Sequence, residues 1–388
     1  MVEKKKSPNL EKLSILVVDD VKSMRLTIRK MLKNLNLGRT LNFAENGRKG
    51  MEILKSHTVD LAIIDFDMPV MDGAQMLSEI RKDKALRDMP VIMITAEAKR
   101  DLVYDVAETD IDAYILKPLT LQLLDSKIRT VVEHAANPDP ATIHTQQARD
   151  LEETGDIEGA IEQVKLALGF KPSASKLIRK LGLLYQKLGE MTTAIKCLKK
   201  AVQVNPDDAV TRYLLGRIYR DRGDIQLAAT YFLEVMGLTS KYNDEAIRLG
   251  KTLLEQGMNK MAIKVFSKAI ATSRKSLNIK ELVADICLDY EEFSYARRLL
   301  ESIISEVPSR YDTVYKAGVV YHVLGEEDKA LEQFLIVDSH QSTRIDVKLE
   351  IARIYLERNQ VFQADDYLNR VLRKDPKNEQ ALAMRQSL

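Results

Sequence analysis

Four short apolar runs in the first 120 residues each stop at a reactive side chain. Leu13-Ser-Ile-Leu-Val-Val18 leads into Asp19 and Asp20, and Asp60-Leu-Ala-Ile-Ile-Asp65 ends on Asp65 itself. Pro90-Val-Ile-Met-Ile94 leads into Thr95, and Ala113-Tyr-Ile-Leu116 into Lys117, which Pro118 follows. Each run has the length and composition of a buried strand. Between them apolar residues recur at spacings of three and four, as in Met24, Ile28, Met31, Leu32 and Leu35, the signature of an amphipathic helix. Alternating strands and helices predict a doubly wound five-stranded parallel sheet. In such sheets ligands bind beyond the carboxyl ends of the strands, where all five polar residues would meet.

The second pattern has a longer period. Alanine stands at 160, 194, 228, 262, 296, 330 and 364, always 34 residues apart. In the same phase run the small residues Ala148, Gly182, Gly216, Gly250, Ala284, Gly318 and Ala352. Larger apolar residues recur as Val164, Leu198, Phe232, Phe266, Leu300, Phe334 and Leu368. Gly155, Gly189, Gly223, Gly257 and Gly325 mark a turn at which Glu291 and Asn359 stand in two units, and Pro172, Pro206, Pro308 and Pro376 close four of them. A small residue on each helix of a pair lets the backbones approach, glycine accepts the left-handed turn, and proline stops the second helix. A period of 34 is that of a helix-turn-helix repeat.

The chemistry open to the first cluster is narrow. Carboxylates crowded at one sheet edge repel each other and favour a bound cation. All-oxygen ligation with room for water points to Mg2+. Asp19 and Asp20 are then the metal-holding pair, and Asp65 the nucleophile that becomes an aspartyl phosphate. Lys117 neutralises phosphoryl oxygens, Thr95 donates its hydroxyl to one of them, and Ala96 leaves room for the group. Taken singly, an acidic pair can cap a helix and Lys-Pro can be an ordinary loop. The five residues in this order carry the assignment.

Those residues are similar to the CheY-like receiver domain of two-component response regulators, over residues 13 to about 134. The resemblance rests on Val18-Asp-Asp20, Met24-Arg25, Asp65-Phe-Asp-Met-Pro-Val-Met-Asp-Gly73, Thr95-Ala-Glu-Ala-Lys99, and Tyr114 three residues before Lys117-Pro118. It implies a phosphohistidine donor on a sensor histidine kinase or phosphotransfer protein. It also implies that the Asp67 backbone carbonyl completes the metal shell, that the Ala96 backbone contacts the phosphoryl group, and that Thr95 and Tyr114 form a switch. Asp67 departs from the asparagine of many CheY-like chains; it and Glu97 would flank an attacking water. Asp110 stands where the family often has a small residue.

The 34-residue pattern resembles the tetratricopeptide repeat, in seven contiguous frames beginning at 141, 175, 209, 243, 277, 311 and 345. The expected organisation is a disordered tail (1–12), the receiver (13–134), a stiff Pro-containing linker (135–140), the repeats (141–378) and a brief C-terminal capping segment (379–388). The fold class is thus α/β followed by an all-α solenoid.

Composition changes this picture only by exclusion. The first 134 residues carry 22 Lys or Arg against 21 Asp or Glu, and the remainder 37 against 36, so neither part argues for a nucleic-acid surface. The chain has two cysteines, Cys197 and Cys287, at packing positions, with no spacing for a metal site or disulfide framework. No signal peptide or membrane span is evident, and a cytoplasmic location is expected. With 141–378 assigned to repeats, the expected output is protein contact on a concave face. Lys176, Arg179, Lys187, Tyr213, Arg217, Arg220 and Lys251 are placed there, followed by Asp285, Asp289 and Asp312. The reading is a signalling adaptor, not an enzyme beyond the receiver's own phosphorylation and dephosphorylation. A constitutive scaffold with an inactive receiver and a phosphate sink for a shared kinase are the alternatives.

Overall fold

The computed structural model describes residues 8–96, 111–273 and 275–388. Expectations for Glu97, Ala98, Lys99 and Asp110 lie outside these residues. The described chain forms two compact units, Met1–Ile218 and Tyr219–Leu388.

The first unit opens with the sheet. Strands β1 (Ser14–Val18), β2 (Thr40–Ala44), β3 (Leu61–Asp65), β4 (Val91–Thr95) and β5 (Ala113–Leu116) are all parallel, in the order β2-β1-β3-β4-β5. Helices α1 (Lys22–Asn34), α2 (Gly47–Ser56) and α3 (Gly73–Lys82), with a closing helix Leu121–Ala136, cover both faces. On one face Ile28 and Leu32 of α1 pack with Leu124, Ile128 and Val131 of the closing helix over Ile15, Val17 and Ile63. On the other, Met51, Leu54, Met76, Leu77 and Ile80 pack over Leu16, Val18, Ala62 and Ile64. The apolar runs are continuous because the inner strands are buried on both faces.

Two expected boundaries move. The expected tail does not reach residue 12, because Leu10–Lys12 form a 3-10 turn capped by Asn9, and Leu10 packs against the core. The linker is shorter than 135–140. The closing helix continues through Ala136, and Pro140 is already the first residue of the next helix, with Asp139 as N-cap. Proline is favoured there because its missing N–H would have had no partner in the helix.

Helix pairs follow in the expected phase. The first unit holds Pro140–Thr154 with Ile157–Phe170 and Ser175–Lys187 with Met191–Val204, then Ala209–Asp221 up to the division. The second holds Ile225–Leu238, then pairs whose first helices are Asn243–Glu255, Ser276–Asp289, Tyr311–Val323 and Ile345–Glu357. The last helix, Glu379–Gln386, buries Ala381 against Leu349, Ala352 and Leu368. A Cβ on Gly318 would lie 2.6 Å from Phe334 Cε1, and one on Gly182 would lie 3.0 Å from Leu198 Cγ. The small residue and the large one are thus two halves of one contact. At the turn Gly155, Gly189, Gly223, Gly257 and Gly325 have φ between 70° and 88°, and Glu291 and Asn359 adopt 57° and 56° in the same place.

Candidate functional site

Strand register brings the reactive residues to one sheet edge. Val18 pairs with Ile64, Asp65 with Ile94 and Thr95 with Leu116, so the chain segments that follow β1, β3, β4 and β5 leave the sheet side by side. Asp65 ends the central strand and is 4% exposed; Asp19 is 1% exposed and Thr95 5%. Carboxylate oxygens of Asp19, Asp20 and Asp65 lie within 4.8 Å of one another. The Lys117 ammonium donates to Asp65 Oδ1 at 2.7 Å and lies 3.8 Å from Asp19 Oδ2.

Local backbone chemistry holds this arrangement. Asp19 Oδ1 accepts from the Val21 N–H at 2.8 Å, while the Arg25 guanidinium donates to the carbonyls of Asp19 and Asp20. The Lys117 N–H donates to the Thr95 carbonyl at 2.8 Å, tying the ends of β4 and β5. Helix α3 starts with a capping box between Asp72 and Gln75, which satisfies two N–H groups that a helix start leaves open. A side chain at Gly73 would collide with the Asp65 carbonyl oxygen, so only glycine lets α3 begin this close to the site.

Burial raises the carboxyl pKa of Asp65, more than the Lys117 hydrogen bond lowers it, and the neighbouring Asp19 charge adds to the rise. Burial likewise raises that of Asp19 against the Val21 N–H and Lys117. Lys117 is itself raised: burial disfavours its charge, and Asp65, Asp19 and Asp20 outweigh that. Among the described residues Asp19 Oδ2 is buried without a hydrogen-bond partner. An orphaned carboxylate oxygen among three acidic groups fits a hard divalent cation, which would relieve both the repulsion and the desolvation.

The other expected site residues are less enclosed. Asp20, Asp67 and Ala96 are exposed. Tyr114, paired in register with Met93, is 52% exposed, with the Lys127 ammonium 6.0 Å from its ring centre. Arg25 and Gly73 stood in the sequence pattern without a role. Their contribution is to backbone placement, which a list of reactive side chains does not reveal.

The residues expected on the repeat surface divide. Arg179 is not a free cation: its side chain is 14% exposed and donates to Asp208 Oδ1 at 2.6 Å, and the 4%-exposed Asp208 side chain also accepts from the Thr211 N–H and hydroxyl. Lys187 pairs with Glu152 at 2.7 Å. Arg220 bonds Asp221 at 3.1 Å and lies 3.7 Å from Glu245. Asp285 pairs with Lys316, and Asp312 with Arg344 at 2.8 Å. Part of the expected charge contrast is thus neutralised within the chain. Arg217 and Lys251 are exposed, each over a ring: Tyr213 at 5.7 Å and Tyr290 at 5.8 Å. Lys176 and Asp289 are exposed as well.

A family model of the response regulator receiver domain matches residues 15–129. Over 121 residues the chain is 37% identical to the chemotaxis protein CheY of Pseudomonas aeruginosa, covering 31% of this chain and 97% of that protein. The chain belongs to the response-regulator receiver family. In this response regulator the receiver is followed by tetratricopeptide repeats, whose family models match residues 172–241 and 346–378. Vibrio cholerae CheY-3 is 36% identical over 121 residues, covering 31% of this chain and 92% of its own length. Among solved structures, a receiver domain of an HD domain-containing protein from Pseudomonas fluorescens Pf-5 is 27% identical, with a TM-score of 0.30 over 32% of this chain and 97% of its own. A tetratricopeptide repeat protein from Parabacteroides merdae is 15% identical, with a TM-score of 0.33 over 64% of this chain and 98% of its own. A receiver implies a place in a phosphorelay with a kinase or phosphotransfer partner, and the repeats suggest a protein partner. Receivers bind Mg2+ through an acidic aspartate cluster, and Asp19, Asp20 and Asp65 form such a group here. No helix among the described residues is long and apolar enough to cross a membrane.

Proposed function

We propose that this response regulator is a phosphorylation-controlled adaptor. Asp65 accepts a phosphoryl group from a phosphohistidine of a sensor kinase or phosphotransfer protein, and the repeats dock a protein partner. The observation that carries the reading is the Lys117 ammonium 2.7 Å from the buried Asp65 carboxylate, beside two further carboxylates. An Asp65 oxygen bonds to phosphorus as the phosphorus–nitrogen bond to the imidazole breaks. Lys117 holds its positive charge where two negative groups must approach, which is where preorganised charge lowers a barrier most. Asp19, Asp20, Asp65 and the Asp67 carbonyl would hold Mg2+, which supplies further neutralisation of the phosphoryl oxygens. The Thr95 hydroxyl and the Ala96 backbone are assigned to the phosphoryl oxygens, and Thr95 with Tyr114 to the switch.

The test is acid-labile, base-labile labelling from a small phosphoryl donor. Wild type should label only with Mg2+, Asp65→Asn should not label, and Lys117→Ala should slow labelling by about 100-fold or more. Equal labelling of Asp65→Asn, or full labelling in chelator, would overturn the assignment.

A further inference from the structure

The compact unit that begins with the receiver does not stop at the linker; it continues to Ile218. Within that unit, the loop Asp83–Met89 between α3 and β4, at the end of the sheet away from Asp65, faces the first repeat helix. That loop is braced. Ala85 N–H donates to Asp83 Oδ1 at 2.8 Å, Arg87 N–H to the Asp83 carbonyl at 2.8 Å, and Arg81 to the Met89 carbonyl at 2.9 Å. Arg81 also donates to Asp112, whose same oxygen accepts from the Val91 N–H at 2.8 Å.

From this platform three charges meet three on the first repeat helix. The Arg87 guanidinium, 11% exposed, donates to Asp150 Oδ1 at 2.6 Å and to Glu153. Lys84 reaches Glu153 at 3.1 Å. In the opposite sense, Arg149 Nη2 donates to both oxygens of Asp88, at 2.8 and 2.9 Å. At the join, Asp139 caps the first repeat helix through the Thr142 N–H, accepts from Lys171 at 2.7 Å, and lies 3.3 Å from His134 Nε2.

We propose that the α3–β4 loop is a dedicated interaction surface for the first repeat, so that receiver and repeat one move as a single body held in register by charge. The mixed signs matter: a shift along the helix would set Arg149 against Arg87 or Asp88 against Asp150, so the pattern rejects other registers as well as favouring this one. Arg87 strengthens the case, because a guanidinium this buried needs both carboxylates of the repeat. This inference stands independently of phosphorylation at Asp65.

Zero-length carbodiimide coupling of the full-length protein reads the interface directly. Lys84 and Glu153 should join in good yield, normalised to the Lys49–Glu45 pair within the receiver, which stands at 2.6 Å. Arg149→Asp or Asp88→Arg alone, neither touching the coupled residues, should lower the normalised yield by about five-fold or more. The double exchange should restore it, and about 1 M salt should suppress it in wild type. Absence of the cross-link in wild type overturns the proposal. So does indifference to both reversals and to salt, or a double exchange that fails to rescue.

Discussion

Asp19 and Asp65 each have a folded-state pKa raised chiefly by burial, so the fold pays for keeping them charged. The sign of the pH dependence follows. With folded pKa values above the unfolded ones, their contribution to stability is fully present below the unfolded carboxyl value and is lost as pH rises through the folded value. Melting in chelator should therefore show Asp65→Asn more stable than wild type at neutral pH, with the difference shrinking as pH falls through the carboxyl range. Added Mg2+ should raise the wild-type melting temperature more than that of the variant. Equal melting of the two proteins at neutral pH would remove the strain argument. At Arg179 the expectation is the reverse. Charge reversal there strands Asp208 in a buried setting and should cost about 3–5 kcal/mol, whereas Arg217→Glu should stay within about 0.5 kcal/mol. Arg217, not Arg179, is thus the residue with which to test partner docking, by comparing partner affinity in a variant that denaturant titration shows to be intact.

Helix and strand identity was legible where one physical demand dominates. Strands β1, β3, β4 and β5 announce themselves as apolar runs, but β2 does not. Thr40-Leu-Asn-Phe-Ala44 is an edge strand, exposed or half-buried until Ala44, so it has no continuous apolar stretch. The repeat phase was legible because each small residue answers a large one in the same unit. The Arg179–Asp208 pair and the Arg87–Glu153 pair were not, since nothing local to either residue says which distant partner will absorb its charge. The same reasoning yields opposite outcomes for two glycines. Gly250→Ala would overlap the ring of Phe266, which is fully buried, and should destabilise by about 1–3 kcal/mol despite better helix propensity. Gly169→Ala meets no atom within 4 Å among the described residues beyond its chain neighbours and its own helix backbone and should stabilise by up to about 1 kcal/mol. At the turn, Glu291 holds a left-handed φ of 57° without glycine's freedom, so Glu291→Gly should gain about 0.5–1 kcal/mol. Urea titration of the three variants checks these signs.

Across the molecule, any signal from Asp65 must act on a receiver already joined to repeat one at two places, the Asp139 junction and the α3–β4 loop. If Thr95 and Tyr114 switch as proposed, beryllium fluoride at Asp65 should change partner affinity by about 5 to 150-fold, with a reciprocal effect of partner on fluoride binding. Thr95→Ala should blunt both, and calorimetric titrations indifferent to beryllium fluoride would leave the domains merely tethered. The contact also bears on how the solenoid ends. A stack of helix pairs needs something polar over each terminal face. At the carboxyl end Glu379–Gln386 covers Leu349 and Leu368. Beside the first pair stands the receiver, engaging Arg149, Asp150 and Glu153 and seating Asp139 as the opening cap. The receiver is then also a brace on the first helix of the array, holding it through charge pairs. A fragment beginning at residue 141 lacks both that brace and the Asp139 cap, so it should melt lower and aggregate sooner than the intact chain, and a search for the partner is best made with the receiver in place.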